Sequence, residues 1–238
     1  MRIAQINVVA SLSTGRIAVQ LCRMAGQAGH KALLCYSRDT APTDIASYKI
    51  GGKISLATHL ALSRLTDRSG FFSRHATQKL VRQLELYQPD LVHLHNLHGY
   101  YLHLPTLFAD LKSHDLPVVW TLHDCWAFTG HCAYYTMAQG AQPLDGRRRR
   151  ARQTALGCDR WQDGCGGCPR RGSYPASWFL DQSARNWRDK RDLFTGLPHM
   201  VLVTPSDWLR DQVLQSFLKD YPVYTLPNGL DTAAFQPC

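Results

Sequence analysis

Apolar residues fall in short bursts separated by longer stretches where they recur every third or fourth position. The opening "RIAQINVV" is apolar and β-branched at Ile3, Ile6, Val8 and Val9, a strand pattern; a polar Ser/Thr/Gly loop and a helical period over 16–29 follow it. Further strands are predicted at "KALLCY", "LVHLH", "PVVWTL", "MVLVT" and "PVYTL". Amphipathic stretches between them predict helices over 53–67, 73–88, 103–113, 177–194 and 206–218. Uniformly apolar strands alternating with helices pair in parallel through right-handed crossovers and are buried on both faces. The fold class expected is therefore α/β: a Rossmann-like, doubly wound, mainly parallel sheet.

Residues 124–176 interrupt the alternation with Gly, Arg, Cys and aromatics in no clear period, and are read as a Cys-rich insertion. No internal repeat is evident. Ligands of doubly wound sheets bind beyond the carboxyl ends of the strands. The loops to search are then "ASLSTG" (10–15), "NLHGYY" (96–101), "HDCWAFTG" (123–130) and "PSDW" (205–208).

In the first loop, Ser13, Thr14, Gly15 and Arg16 open a helix, where free N–H groups suit a phosphate; a plain helix cap explains the same residues. "LVHLHNLHGYYL" puts His93 and His95 on one strand face with Asn96, His98 and His103 beyond it. No companion carboxylate accompanies them in sequence, so hydrogen-bonded structural or substrate-facing histidines are expected over metal ligands. His123 and Asp124 directly follow a strand and stand at the mouth of the sheet; the competing reading is a capped loop start.

A net charge of +9 favours partners that carry negative charge. The basic residues gather in two runs, Arg147 to Arg150 with Arg152, and Arg64, Arg68, Arg74, Lys79 and Arg82; a solvated face explains either run as well. No apolar stretch approaches the roughly 20 residues that span a bilayer, and no leader is evident, so a cytoplasmic location is expected. Phe71 and Phe72 among Arg and Lys suit the inner face of an anionic membrane, or else pack between two helices.

Eight cysteines in a cytosolic chain argue against a disulfide framework. Cys22 and Cys35 lie in apolar runs and read as core. Cys132, Cys158, Cys165 and Cys168, spaced C-x25-C-x6-C-x2-C with Gly164, Gly166 and Gly167 around the last pair, suit a structural tetrahedral zinc, with Cys125 and His131 as reserve ligands. Free thiols, disulfides and an iron–sulfur cluster remain as alternatives.

In this order, "STGRIA", "PDLVHLHNLHGYYL", "TLHDCWAFTGHC", "GCDRWQDGCGGCP", "VTPSDWL" and "LPNGLDTAAFQP" resemble family 4 glycosyltransferases, in particular the branch of exopolysaccharide and colanic-acid-type assembly. The resemblance implies the GT-B architecture of two Rossmann-like domains with catalysis between them. Residues 1–225 resemble the first, acceptor-side domain; 226–238 resemble the start of the hinge to a donor-binding domain beyond, without which little transfer is expected. The resemblance further implies a nucleotide-sugar donor, retention of anomeric configuration, a lipid-linked or glycan acceptor and no catalytic metal. His123 resembles the histidine that contacts the transferred sugar, and Gly15 with its neighbours the loop under the donor diphosphate. Asn96 and His98 would line the acceptor side, and Ser206 in "PSDW" joins the substrate-binding candidates. The first loop departs from many relatives in lacking tandem glycines.

Other classes stand beside this one. A non-catalytic, zinc-stabilised module binding lipid, glycan or nucleic acid would use the Cys knuckle and the arginine run, though no reading helix or finger spacing is present. A nucleotide-dependent oxidoreductase would need the missing GxGxxG and an acidic ribose ligand where Arg38 stands.

Overall fold

The computed structural model describes residues 1–136, 153–154 and 157–229. The chain runs β1 (Arg2–Ile6), α1 (Leu12–Gln27), β2 (Lys31–Tyr36), β3 (Ala46–Lys49), α2 (Lys53–Thr66), α3 (Arg74–Tyr87), β4 (Leu91–Leu94), α4 (Leu104–Ser113) and β5 (Val118–Thr121). The short β6 (Gln153–Thr154) and β7 (Gly157–Cys158), then α5 (Ser183–Phe194), β8 (Met200–Thr204), α6 (Asp207–Val213) and β9 (Val223–Thr225) complete it.

Seven strands form one sheet in the order β3-β2-β1-β4-β5-β8-β9, every pair parallel, while β6 and β7 make a separate antiparallel pair. Alternation along β2 sends Leu33 and Cys35 into the larger core with α3 and α4, and Leu34 and Tyr36 into a second core with Ala18, Val19 and Cys22 of α1. Both faces are therefore covered by helices, as a parallel sheet requires. The chain steps from β1 outward to β3 and then returns to place β4 on the other side of β1. The crevice at the carboxyl ends of β1 and β4 is thus the topological switch point.

Several boundaries differ from the sequence pattern. β3 was not anticipated, because "ASYK" is a half-exposed edge strand with no apolar signature. The last two helices are shorter than their periodicity suggests: α5 begins at Ser183 because Trp178 N–H donates to Arg64 O and Ser177 Oγ to Leu180 O, holding 177–180 against the end of α2. α6 stops at Val213, with Ser216 Oγ donating to Val213 O and turns following. The start of the segment read as an insertion is not peripheral: Trp126, Phe128, Cys132 and Tyr135 belong to the larger core, as does Trp161. The arginine run 147–152 and residues 230–238 of the expected hinge lie outside the described residues.

Candidate functional site

Parallel register and the two-residue period bring polar side chains of three strands to one sheet face. Gln5 stands beside His93 and His93 beside Val119, so Gln5, His93, His95, Thr121 and His123 share the face turned to α1. His93 Nε2 meets Thr121 Oγ1 at 2.8 Å, and the His93 and His95 rings stack at 4.2 Å. His95 Nδ1 lies 3.2 Å from His123 Nε2, and His95 Nε2 lies 3.0 Å from Gln5 Oε1.

This chain of contacts sets the tautomers. Gln5 Nε2 donates to Cys22 Sγ at 3.3 Å, leaving Oε1 to accept. His95 must then carry its proton on Nε2 and accept on Nδ1, so His123 donates from Nε2. Burial holds His95 well below the usual imidazole value, assisted by His93 and His123, and burial brings His123 down to about 4 against the opposing pull of Asp124. Both rings are neutral near pH 7, and His123 retains a bare acceptor at Nδ1, which has no hydrogen-bond partner among the described residues.

Next to it, Asp124 Oδ2 accepts from His98 Nε2 at 2.7 Å and Asp124 Oδ1 from Trp126 N–H at 2.9 Å. Burial pushes the Asp124 carboxyl up, but His98, the Trp126 N–H bond and His123 together outweigh it and hold the group below its ordinary value. Burial raises the Tyr174 phenol, which stays protonated, and its hydroxyl meets His98 Nδ1 at 2.9 Å. The loop after β5 is pinned from α5: Lys190 Nζ donates to Trp126 O at 2.7 Å and Thr129 O at 3.0 Å and sits 3.4 Å over the Trp126 ring. A lysine 1% exposed loses its hydration, and burial lowers it to about 7 despite Cys165, Cys132, Asp124 and Asp67 nearby. At the other end of the loop Asp67 accepts from His131 Nδ1 at 2.6 Å and from Gln182 N–H at 2.8 Å, tying α2 to the approach of α5.

The first loop meets this group through Asn7. Its Oδ1 accepts from Asn96 N–H and from Thr14 Oγ1, both at 3.3 Å, and its Nδ2 donates to Val9 O at 2.9 Å. Ser13 and Arg16 are exposed at the helix start, while Thr14 and Gly15 are buried. Leu12 and Ser13 both have positive φ, 49° and 37°, so the turn that tandem glycines would ease is made by two residues with side chains, each costing about 1–3 kcal/mol. Gly15 is required by close approach: a Cβ there would stand 2.9 Å from Ala10 C and 3.1 Å from Val9 O. Because both neighbours are backbone, Gly15→Ala is expected to destabilise by about 1–3 kcal/mol, visible as a lower urea midpoint at unchanged m-value.

Of the residues singled out in sequence, the fold gathers His123, Asp124, His98, Asn96, Thr14 and Gly15 around the switch point. Ser206 is occupied otherwise, as the N-cap of α6 accepting from Leu209 N–H at 3.3 Å. His131, a reserve metal ligand, has both ring nitrogens engaged, with Asp67 and Ser173 O, and Cys125 is buried. Cys22 and Cys35 are core residues, as expected. Phe71 and Phe72 are half-buried: Arg68 stacks 3.6 Å over Phe71 while pairing Asp189 at 2.6 Å, and His59 meets Phe72 edge-on. Among the described residues, no three His, Cys, Asp or Glu side chains stand ready to hold a metal ion, and no helix is long and apolar enough to cross a membrane.

Gln5, Asn7, Tyr174 and Lys190 escaped the sequence reading. Two amides inside an otherwise apolar strand were a usable signal, as was a lysine in line with Ser183, Asn186 and Phe194 on the buried stripe of α5. Tyr174 offered none.

A family model described as Glycosyltransferase Family 4 matches residues 14–162. A protein of Escherichia coli (strain K12) named as the colanic acid biosynthesis glycosyl transferase WcaC is 26% identical over 248 residues, covering 98% of this chain and 55% of the relative. Among solved structures, ligand-free UGT2 of Phytolacca americana aligns over 97% of this chain and 52% of its own, with 12% identity and a TM-score of 0.50. A ugt transferase of Siraitia grosvenorii in complex with UDP aligns over 97% and 48%, with 11% identity and a TM-score of 0.47. The chain thus spans about half the length of each of these relatives.

Proposed function

The chain belongs to Glycosyltransferase Family 4, and from that we propose that it is the acceptor-side half of an enzyme moving a sugar from a nucleotide-sugar donor, with retention, to a lipid-linked or growing exopolysaccharide acceptor. The observation that carries the reading is His123, a neutral ring with a bare Nδ1 at the carboxyl edge of the switch point. A neutral imidazole acceptor takes a hydrogen bond from a sugar hydroxyl without presenting positive charge to the reacting carbon. The adjoining Asp124 carboxylate supplies negative potential where the anomeric carbon becomes electron-poor, which is electrostatic stabilisation by a preorganised group.

In the reaction so read, the bond from the anomeric carbon to the donor diphosphate breaks and one to the acceptor oxygen forms on the same face. The acceptor's proton passes to the departing diphosphate, so no metal or separate base is required. Ser13 and Arg16 would meet the donor diphosphate at the start of α1, where the chain kinks at Ser13 before the regular helix whose N–H groups and dipole favour an anion. Asn96 and the His98–Asp124–Tyr174 group face the acceptor. The remaining donor contacts fall to a second domain, consistent with a chain half the length of its relatives.

Incubating the protein, carried through to the end of its reading frame, with UDP-, GDP- and TDP-sugars and lipid-linked acceptors tests this. Release of the nucleoside diphosphate and an NMR coupling constant that keeps the donor's anomeric configuration are expected. Inverted product would remove the retention assignment, and donor hydrolysis that no acceptor accelerates would remove the transfer assignment.

A further inference from the structure

Cys132, Cys158, Cys165 and Cys168 come from three separate segments yet line one cavity, together with Thr129, His131, Arg160 and Trp161. Its volume is about 20 Å³, room for one water-sized body, and too little for an organic ligand. Cys165 and Cys168 lie on a turn with Gly164, Gly166 and Gly167 all at positive φ, the backbone of a tight thiol knuckle. N–H groups already point at sulfur: Gly130 N–H donates to Cys165 Sγ at 3.1 Å, and Arg170 N–H to Cys168. N–H groups so placed would hydrogen-bond metal-bound thiolates, whereas burial without a metal raises the thiols of Cys132, Cys165 and Cys168.

Cations surround the same place. Arg160 Nη1 donates to the carbonyls of Gly166 and Gly167, closing the knuckle from below, and Arg170 and the buried Lys190 lie within electrostatic reach of Cys132. Four thiolates on a divalent ion carry a net double negative charge, which these cations would balance.

We propose that Cys132, Cys158, Cys165 and Cys168 close on one structural zinc ion. In the present arrangement the thiols ring the cavity without yet forming a ligating set, so closure takes side-chain rotation about the cavity and inward movement to Zn–S distances of about 2.3 Å. The ion performs no chemistry. It joins the loop carrying Asp124 to the segment carrying Tyr174, six residues beyond Cys168, and so fixes the phenol on His98. This assignment does not depend on the proposed glycosyl transfer.

The test uses the protein purified without a His tag or chelator. Elemental analysis is expected to give about one zinc per chain, released on titration of four thiols with a mercurial and lost in Cys165→Ser with Cys168→Ser, but retained in Cys35→Ala. Refolding with cobalt in place of zinc is expected to give the intense visible absorption of a tetrahedral thiolate site, a readout available even where the serine variants fail to fold. Less than about half an equivalent of any metal with all thiols free would overturn the proposal. So would an intramolecular disulfide in the intact mass, or iron in place of zinc.

Discussion

Stability is expected to fall steeply as pH drops from 6.5 towards 4, well before carboxylates titrate. Burial lowers His59 to about 3, His93 and His123 to about 4, and His95 well below the ordinary value of 6.5. Their hydrogen bonds need the neutral ring: His59 Nε2 accepts from Gly70 N–H at 3.2 Å while Nδ1 meets Ser73 Oγ at 2.8 Å. Each group thus has a depressed pKa in the fold. Above 6.5 neither state binds these protons and stability is full; below it the unfolded chain takes them up and the native chain does not, until its own lowered values are reached.

His59 alone is expected to remove about 1.4 kcal/mol per pH unit through this window, and His95, His93 and His123 add in the same direction. Against a total stability of about 5–15 kcal/mol, the domain should unfold between pH 4 and 5. Urea unfolding at pH 7.5, 6.5, 5.5 and 4.5 checks this. A flat profile down to pH 4.5 would mean the imidazoles are not held neutral.

His123→Ala is expected to lower kcat/KM for transfer about 10²–10³-fold, the usual loss when one preorganised group at a reacting centre is removed. The fold should tolerate the change, because the ring is only partly buried and its loss leaves His95 Nδ1 free to take a water. His123→Gln places an amide near the same position and should recover part of the rate, since the role requires an acceptor and not a proton shuttle.

The sheet was readable because its inner strands are short, mostly apolar runs, and the α/β alternation leaves few topologies. β3, half-exposed at the edge, had no such mark. His123 and Asp124 were legible as candidates from position alone, two and three residues beyond the end of a strand at Thr121. The contacts around them were not: His98 pairs with Asp124 across 26 positions, and Gln5 reaches His95 across 90. Sequence gives the period that puts a residue on a face, but the partner across the face depends on strand order. For Phe71 and Phe72 sequence left a membrane face and packing between helices open; in the fold Arg68 is committed to Asp189 and lies over the Phe71 ring. Ser206 shows the converse case: a polar loop residue after a strand that serves the next helix as its cap.

The central claim is that the switch-point crevice, with neutral His123 at its mouth, is where a nucleotide-sugar gives up its sugar. The most direct measurement is nucleoside diphosphate release against acceptor concentration, for wild type and His123→Ala side by side, with both shown to melt alike. Acceptor-dependent release by the wild type, cut about 10²–10³-fold in the variant with KM changed far less than kcat, is the result predicted. Equal turnover by the two proteins would contradict it.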